Sequence, residues 1–421
     1  MGDRVPAMSS HSIDSLPVLS MRAAASLLLL AAAVRGQSIL PGSGPAGETH
    51  LFNTDAAVLE SQDARKDLPC TSTSVKPTLG FDMKFHAGYE VSVPLKELAG
   101  MHNLLTMIFR VTPDAHKDEP VYMSQRVNVP EIEEDARGEA YLQGSFDVGE
   151  GKYHIDWLMR DRAERVCSAF WDIDAVVPPK DKPVTLDVPP NTVLSTDNEP
   201  FKDEPLVPRD KAATPFNVKV LVNFAPQDAA AAALHPLDMN ALISILRGIA
   251  REPRIGTFSI VAFNLQERRV LFRQEDSPRI DFPALGEALH SLNLGTIDLK
   301  RLSQKRGETE FLTNLFTEEL NARDHPDAVI FAGPKVLLDN GVPQESLRKV
   351  ADIEYPLFYM NYNLDPQGVP WRDAIGNAVK YLKGVEYTIT RPRDLWNAWG
   401  DIMSRIVKSR LTKQAVNGAS Q

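Results

Sequence analysis

Cysteine and long apolar runs are both scarce in this chain. Of its 421 residues only Cys70 and Cys167 are cysteines. Two cysteines alone do not supply the four ligands of a structural zinc site. They do leave room for one disulfide, which an oxidising compartment favours. It would close a loop of about 100 residues, worth roughly 4–5 kcal/mol in the chain-entropy view. Two buried free thiols are the alternative. The longest apolar run, Ala23 to Val34, has twelve residues, too few for a bilayer span, which takes about 20. The nine histidines form no His-Glu-x-x-His and no pair at helical spacing. The chain also has no Gly-x-Ser-x-Gly elbow, no P-loop and no Gly-x-Gly-x-x-Gly. Excess positive charge is missing too. A net charge of −10 gives no basic surface for nucleic acid or anionic lipid.

What is present begins with an address. Met21-Arg22, the apolar run and Val34-Arg-Gly36 have the layout of a secretory signal peptide cut before Gln37. Residues 1–20 fit no export pattern, so translation is expected to start at Met21, with the first twenty residues lying upstream. The expected protein is exported, periplasmic or extracellular, with no membrane span after signal removal. A buried N-terminal helix is the other reading of the run.

Residues 37–69 are rich in Gly, Ser, Ala and Asp and predict a flexible lead-in. From 70 to 175 short alternating runs take over: 80–85, 89–93, 103–111, 121–129, 140–147, 152–159 and 164–171. Turn residues such as Val148-Gly-Glu-Gly151 separate the last three. This spacing predicts an all-β antiparallel sandwich. In the run 152–159 Tyr153 and Trp157 are assigned to one face and Ile155 to the other. His154 and Asp156 share a face, read as a solvated polar pair. Residues 176–215 hold nine of the 31 prolines among Lys, Asp and Glu. They predict an extended Pro-rich linker without a core.

From 216 to 411 strands alternate with helices, which predicts a doubly wound, mainly parallel, Rossmann-like α/β sheet covered on both faces. Val218–Asn223 is its first buried strand, and residues 258–264 and 269–273 form a hairpin. The strands 328–332, 356–362 and 386–389 are separated by helices, and a last helix opens at Pro392. Residues 412–421 predict a frayed tail.

The order strand, helix, hairpin, helix, helix, strand, helix, strand, helix, strand, helix resembles a von Willebrand factor type A domain. The resemblance implies a divalent-cation site at the sheet's C-terminal edge, built from Asp-x-Ser-x-Ser, a Thr loop and a distant Asp. On this chain those positions fall on Asn223, Ala225 and Gln227, on Thr309 in Gly307-Glu-Thr309, and on Ala332. The carboxylates and the two hydroxyls of the first motif are gone, and a hard cation needs charged oxygens. No metal and no cofactor are expected there. For Thr309 alone, a helix N-cap is the simpler role.

Trp371 and Trp396 open two late helices and are candidate interface residues, with packing on the sheet as the other role. With no catalytic constellation, the expectation is an exported non-enzymatic interaction or scaffold protein with a protein or cell-envelope partner. The alternative is an exported hydrolase with an acidic site between the domains.

Overall fold

The computed structural model describes residues 38–40, 51–100, 103–181, 183–196, 199–209, 214–226, 234, 236–292, 306–321, 324–335, 338, 341–350, 353–363 and 373–419. The expected signal peptide, Gln227 and Trp371 lie outside them.

Three sheets make up the fold. The first has the order β1-β5-β4-β7-β8, from Ser38–Ile39, Val121–Val129, Asn103–Pro113, Gly151–Arg160 and Val166–Ala175. The second has the order β2-β3-β6-β9, from Thr71–Leu79, Phe85–Pro94, Glu139–Val148 and Val193–Ser195. Every pairing in these two sheets is antiparallel. They enclose one core in which Tyr89, Phe109, Phe146, Tyr153 and Trp157 are fully buried. The ring centroids of Tyr89 and Trp157 are 5.2 Å apart. Side chains along a strand repeat every two residues, so Ile155 is buried on the same face as Tyr153 and Trp157, not opposite them.

The disulfide is formed. Cys70 and Cys167, 97 positions apart, join the start of β2 to β8. Beside it Leu68 N donates to Val166 O and Ser168 N to Arg65 O, so the segment before β2 runs along the edge of β8.

Two expectations fail around the sandwich. The lead-in carries helix α1, Asn53–Ser61. Its Val58 and Leu59 pack on Ile108, Leu158 and Val166. Those residues make the outer face of the first sheet apolar, and an apolar face must be covered. The same helix shields the polar pair. Asp156 is fully buried, held by Arg110 Nε at 2.7 Å and His154 Nε2 at 3.2 Å, and Arg110 Nη2 donates to Leu59 O. The Pro-rich segment also contributes core. Val184, Val188 and Val193 are buried, and β9 pairs with β6. Valines between the prolines give it apolar side chains that the proline count conceals.

The third sheet has the order β12-β11-β10-β13-β14-β15, from Arg269–Ser277, Ile255–Asn264, Phe216–Asn223, Ala328–Pro334, Leu357–Tyr362 and Val385–Ile389. It is mixed. β10 runs parallel to β11 and β13, β13 to β14 and β14 to β15, while β11 and β12 are an antiparallel hairpin. Helices α2 (Pro236–Ala250), α3 (Phe282–Leu289) and α7 (Pro392–Ala419) pack on one face. Helices α4 (Gly307–Leu320), α5 (Gln344–Arg348) and α6 (Ala374–Tyr381) pack on the other.

These topologies correct the expected fold class. The described part of the chain is mostly antiparallel β, two sheets with a third that is mixed, and not a helix-rich doubly wound parallel fold preceded by a sandwich. The apolar runs of residues 216–411 dominate a sequence pattern because the four central strands β10, β11, β13 and β14 are buried on both faces. The exposed strand β2 pairs with β3 along most of its length with far less apolar signal. The helices are also modest, α5 having five residues and α6 eight. The expected frayed tail belongs to α7, whose helical backbone continues to Ala419.

The sandwich reaches into the mixed sheet. At the β2–β3 turn Met83 packs in one cluster with Val184, Phe216 and Val218. Its carbonyl accepts from Asp187 N at 3.0 Å.

Candidate functional site

The parallel strands β10, β11, β13 and β14 end at one edge of the mixed sheet, where the expected site residues fall. Asn223 is fully buried, and its Oδ1 accepts from Leu265 N at 3.2 Å. Asn264, also fully buried, donates from Nδ2 to Phe224 O at 2.6 Å and accepts from Glu267 N at 2.7 Å. The two amides therefore lace the loops after β10 and β11 together. Ala225 and Ala332 are buried in the packing. Beyond Ala332 the chain passes so close to β10 that a Cβ on Gly333 would lie 2.9 Å from Asn223 Cβ. A ligating side chain has no room there.

Thr309 sits within the first turn of α4, and the cap position belongs to Arg306, so Thr309 is not the helix cap. It is nearly buried, and its carbonyl accepts from Thr313 Oγ1 at 2.6 Å. The Arg268 guanidinium lies against this helix start, so a Cβ on Gly307 would come within 2.2 Å of Nη1. Further along the edge the Tyr359 hydroxyl lies 2.9 Å from Asp373 Oδ2 and 3.0 Å from Pro334 O. Asp373 Oδ1 caps α6 by accepting from Gly376 N at 2.8 Å. Burial, then the neighbouring Asp373 carboxylate, pushes the Tyr359 phenol well above its ordinary range.

These positions do not fit a divalent cation. Asn223 and Thr309 offer neutral oxygens, and Asp373 is spent on a helix cap and a phenol. A hard cation needs charged oxygens to offset its dehydration.

The described residues bring together a second cluster that sequence reading missed. His86 on β3 sits between two carboxylates, with Nδ1 2.9 Å from Asp147 Oδ1 and Nε2 2.9 Å from Asp82 Oδ1. Thr196 Oγ1 donates to Asp147 Oδ1 at 2.8 Å, and Lys84 Nζ lies 3.5 Å from Oδ2. One ligand atom from each of Asp82, His86 and Asp147 lies within 4.8 Å of the others, a spacing that a metal ion could bridge. The hydrogen bonding favours another reading. Burial lowers the affinity of the His86 ring for its proton, but hydrogen bonds and charge from Asp147 and Asp82 outweigh it and hold the pKa up to about 10. An imidazolium with a carboxylate on each nitrogen offers no lone pair to a metal or a substrate proton. The register His86↔Asp147 creates the cluster, and no local spacing announces it.

Two acids of a cleft on the mixed-sheet side are held in ion pairs. A small cleft where the Pro-rich segment crosses α2 is lined by Glu204, Arg209, Glu252 and Arg279. Glu204 is held by Arg247 and Arg251, each at 2.9 Å, and Glu252 by Arg254 at 2.6 Å. Trp396 on α7 is 41 % exposed.

No protein-family model matches the chain, and no curated protein does. Among solved structures it is similar to a PilB minor pilin from Streptococcus sanguinis at 8 % identity. That match covers 71 % of this chain and 87 % of the pilin, with a TM-score of 0.26. It is also similar to a β-glucuronidase from Bacteroides uniformis, at 8 % identity over 75 % of this chain and a TM-score of 0.18. A glycosyl hydrolase family 2 member from Bacteroides cellulosilyticus matches at 10 % identity over 76 % of this chain, with a TM-score of 0.16. The chain spans 38 % of the length of each of these two enzymes. Likenesses this weak assign neither family nor function.

Proposed function

We propose that this chain is an exported, non-enzymatic protein that acts by binding a protein or cell-envelope partner. The observation that carries the reading is the inward hydrogen bonding of Asn223 Oδ1, Asn264 and Asp373 at the mixed-sheet edge. Asn223, Asn264 and Asp373 hold the protein's own loops and helix start. A catalytic edge instead presents such groups to a ligand. Export is supported by the disulfide, which persists in oxidising compartments, and by the apolar run at Ala23–Val34. Among the described residues no helix is long and apolar enough to cross a membrane. The resemblance of residues 216–411 to a von Willebrand factor type A domain belongs to the same reading. Its support is the hairpin β11–β12 beside the central strand β10. The hydrolase alternative is weakened by the ion-paired acids of the cleft and by the proton held on His86.

The test is capture from an envelope extract with the mature chain as bait, followed by cross-linking. A specific, saturable partner is expected. Recovery of only the proteins that also bind an unrelated bait would overturn the reading, as would hydrolysis of peptides, glycans or esters that is lost on mutating one acidic residue.

A further inference from the structure

The sandwich has four edge positions, and they are treated differently. The β8 edge is covered by the segment Arg65–Leu68 and the disulfide. The β2 edge carries Lys76 and Pro77 at a break in its register, both devices that discourage strand addition. On the opposite flank β1 covers only Met123 and Ser124 of β5. There β9 covers only Phe146–Val148 of β6. Among the described residues no strand pairs with Glu139–Gly144 of β6 on the side away from β3. The Gln125 side chain reaches Gln143 O there at a long 3.5 Å. This stretch carries no Lys or Pro, and Tyr141 on it is 73 % exposed. An unpaired strand edge of this length is a template for another strand.

The loop from β5 to β6 supplies a charge. Glu131, Glu133, Glu134, Asp135 and Glu139 stand exposed against Arg137 alone. Among the described residues none of these acids is in an ion pair.

We propose that the β6 edge, Glu139–Gly144, docks an extended basic peptide segment, which adds as an antiparallel strand continuing the line of β9. Backbone hydrogen bonds would supply affinity, and the acidic loop would select lysine or arginine on the incoming strand. The proposal rests on the partner-binding reading above and names its surface.

Hydrogen–deuterium exchange of the full chain, at low salt, tests it. The added ligand is an eight-residue peptide alternating lysine and valine, with its glutamate counterpart as control. The lysine peptide should slow exchange across Glu139–Gly144 by about ten-fold or more. The glutamate peptide should not. Tyr141→Pro removes one N–H from the edge and should abolish the effect. The combined Glu133→Lys, Glu134→Lys and Asp135→Lys change should do the same without touching the strand, and it decides the matter if the proline variant fails to fold. No slowing, or equal slowing by both peptides, overturns the proposal. So does concentration-dependent protection of these amides without peptide, which would make a second copy the occupant. If the Tyr141→Pro and charge-reversed chains capture the envelope partner as well as wild type, the edge assignment fails while the partner-binding reading stands.

Discussion

The sandwich and the mixed sheet solve the same problem, burying a sheet, with different means. The sandwich has one core between two sheets, a covalent staple and, among the described residues, one small α-helix on its outside. The mixed sheet has two cores, one on each face, each covered among the described residues by three helices. Both regions bury charged groups, Asp147 and Asp156 in one, Lys219 and Glu319 in the other. In the sandwich the main ionic clusters lie around His86, on the second sheet, and Asp156, on the first sheet's outer face. In the mixed sheet, charged and amide groups are buried. Lys219 on β10 meets Glu319 at 3.3 Å and Asp324 at 2.6 Å. On central strands covered on both faces, such as β10, a buried charge such as Lys219 needs an internal partner.

If the two regions rely on separate cores, matched truncations should separate them in calorimetry. Trp157→Ala is expected to cost the sandwich about 3–5 kcal/mol, and Phe331→Ala the mixed sheet a similar amount. Equal loss of both transitions in either variant would show that the Met83 contact fuses them into one unit. Next in size is the staple. Replacing Cys70 and Cys167 together by serine should cost about 2–5 kcal/mol, confined to the sandwich transition. A fall in the other transition would again break the comparison.

The His86 cluster gives a smaller, pH-dependent effect. Its folded pKa is raised from 6.5 to about 10. The stabilisation is therefore complete below pH 6.5, declines as pH rises, and is gone above about pH 10. For a partly exposed ring it should amount to about 1–2 kcal/mol after solvent screening. Melting curves of wild type and His86→Gln should converge as pH rises through that window. A constant gap would mean that packing, not charge, fixes the ring. The smallest expected effect is none at all. Isothermal titration of the chain with Mg²⁺ should show no micromolar binding, and measurable binding would reverse the assignment of the Asn223 edge.

The sequence displayed some of this plainly. Strands β4 to β8 were legible because apolar residues recur at most second positions, and β10, β13 and β14 because they are mostly apolar. β2 was not, since Thr71–Leu79 is exposed along most of its length and is held by its neighbour rather than by burial. Helix α1 was hidden because what orders it is an apolar sheet face, Ile108, Leu158 and Val166, far along the chain. At the candidate site the chemistry of Asn223, Ala225 and Ala332 could be read from their identities. Their hydrogen bonds could not, and Gly333 revealed its role only through its approach to Asn223. The His86 cluster depends on a pairing register, which no local pattern records.

The link between Cys70 and Cys167 also has a mechanical consequence. A pull on the two ends of the chain would pass from one sulfur to the other, bypassing the sandwich strands between them. The 97-residue separation would withhold about 330 Å of extension at roughly 3.4 Å per residue. Under load, in an oxidising environment, most of the sandwich would keep its shape while the linker and the mixed sheet took the strain.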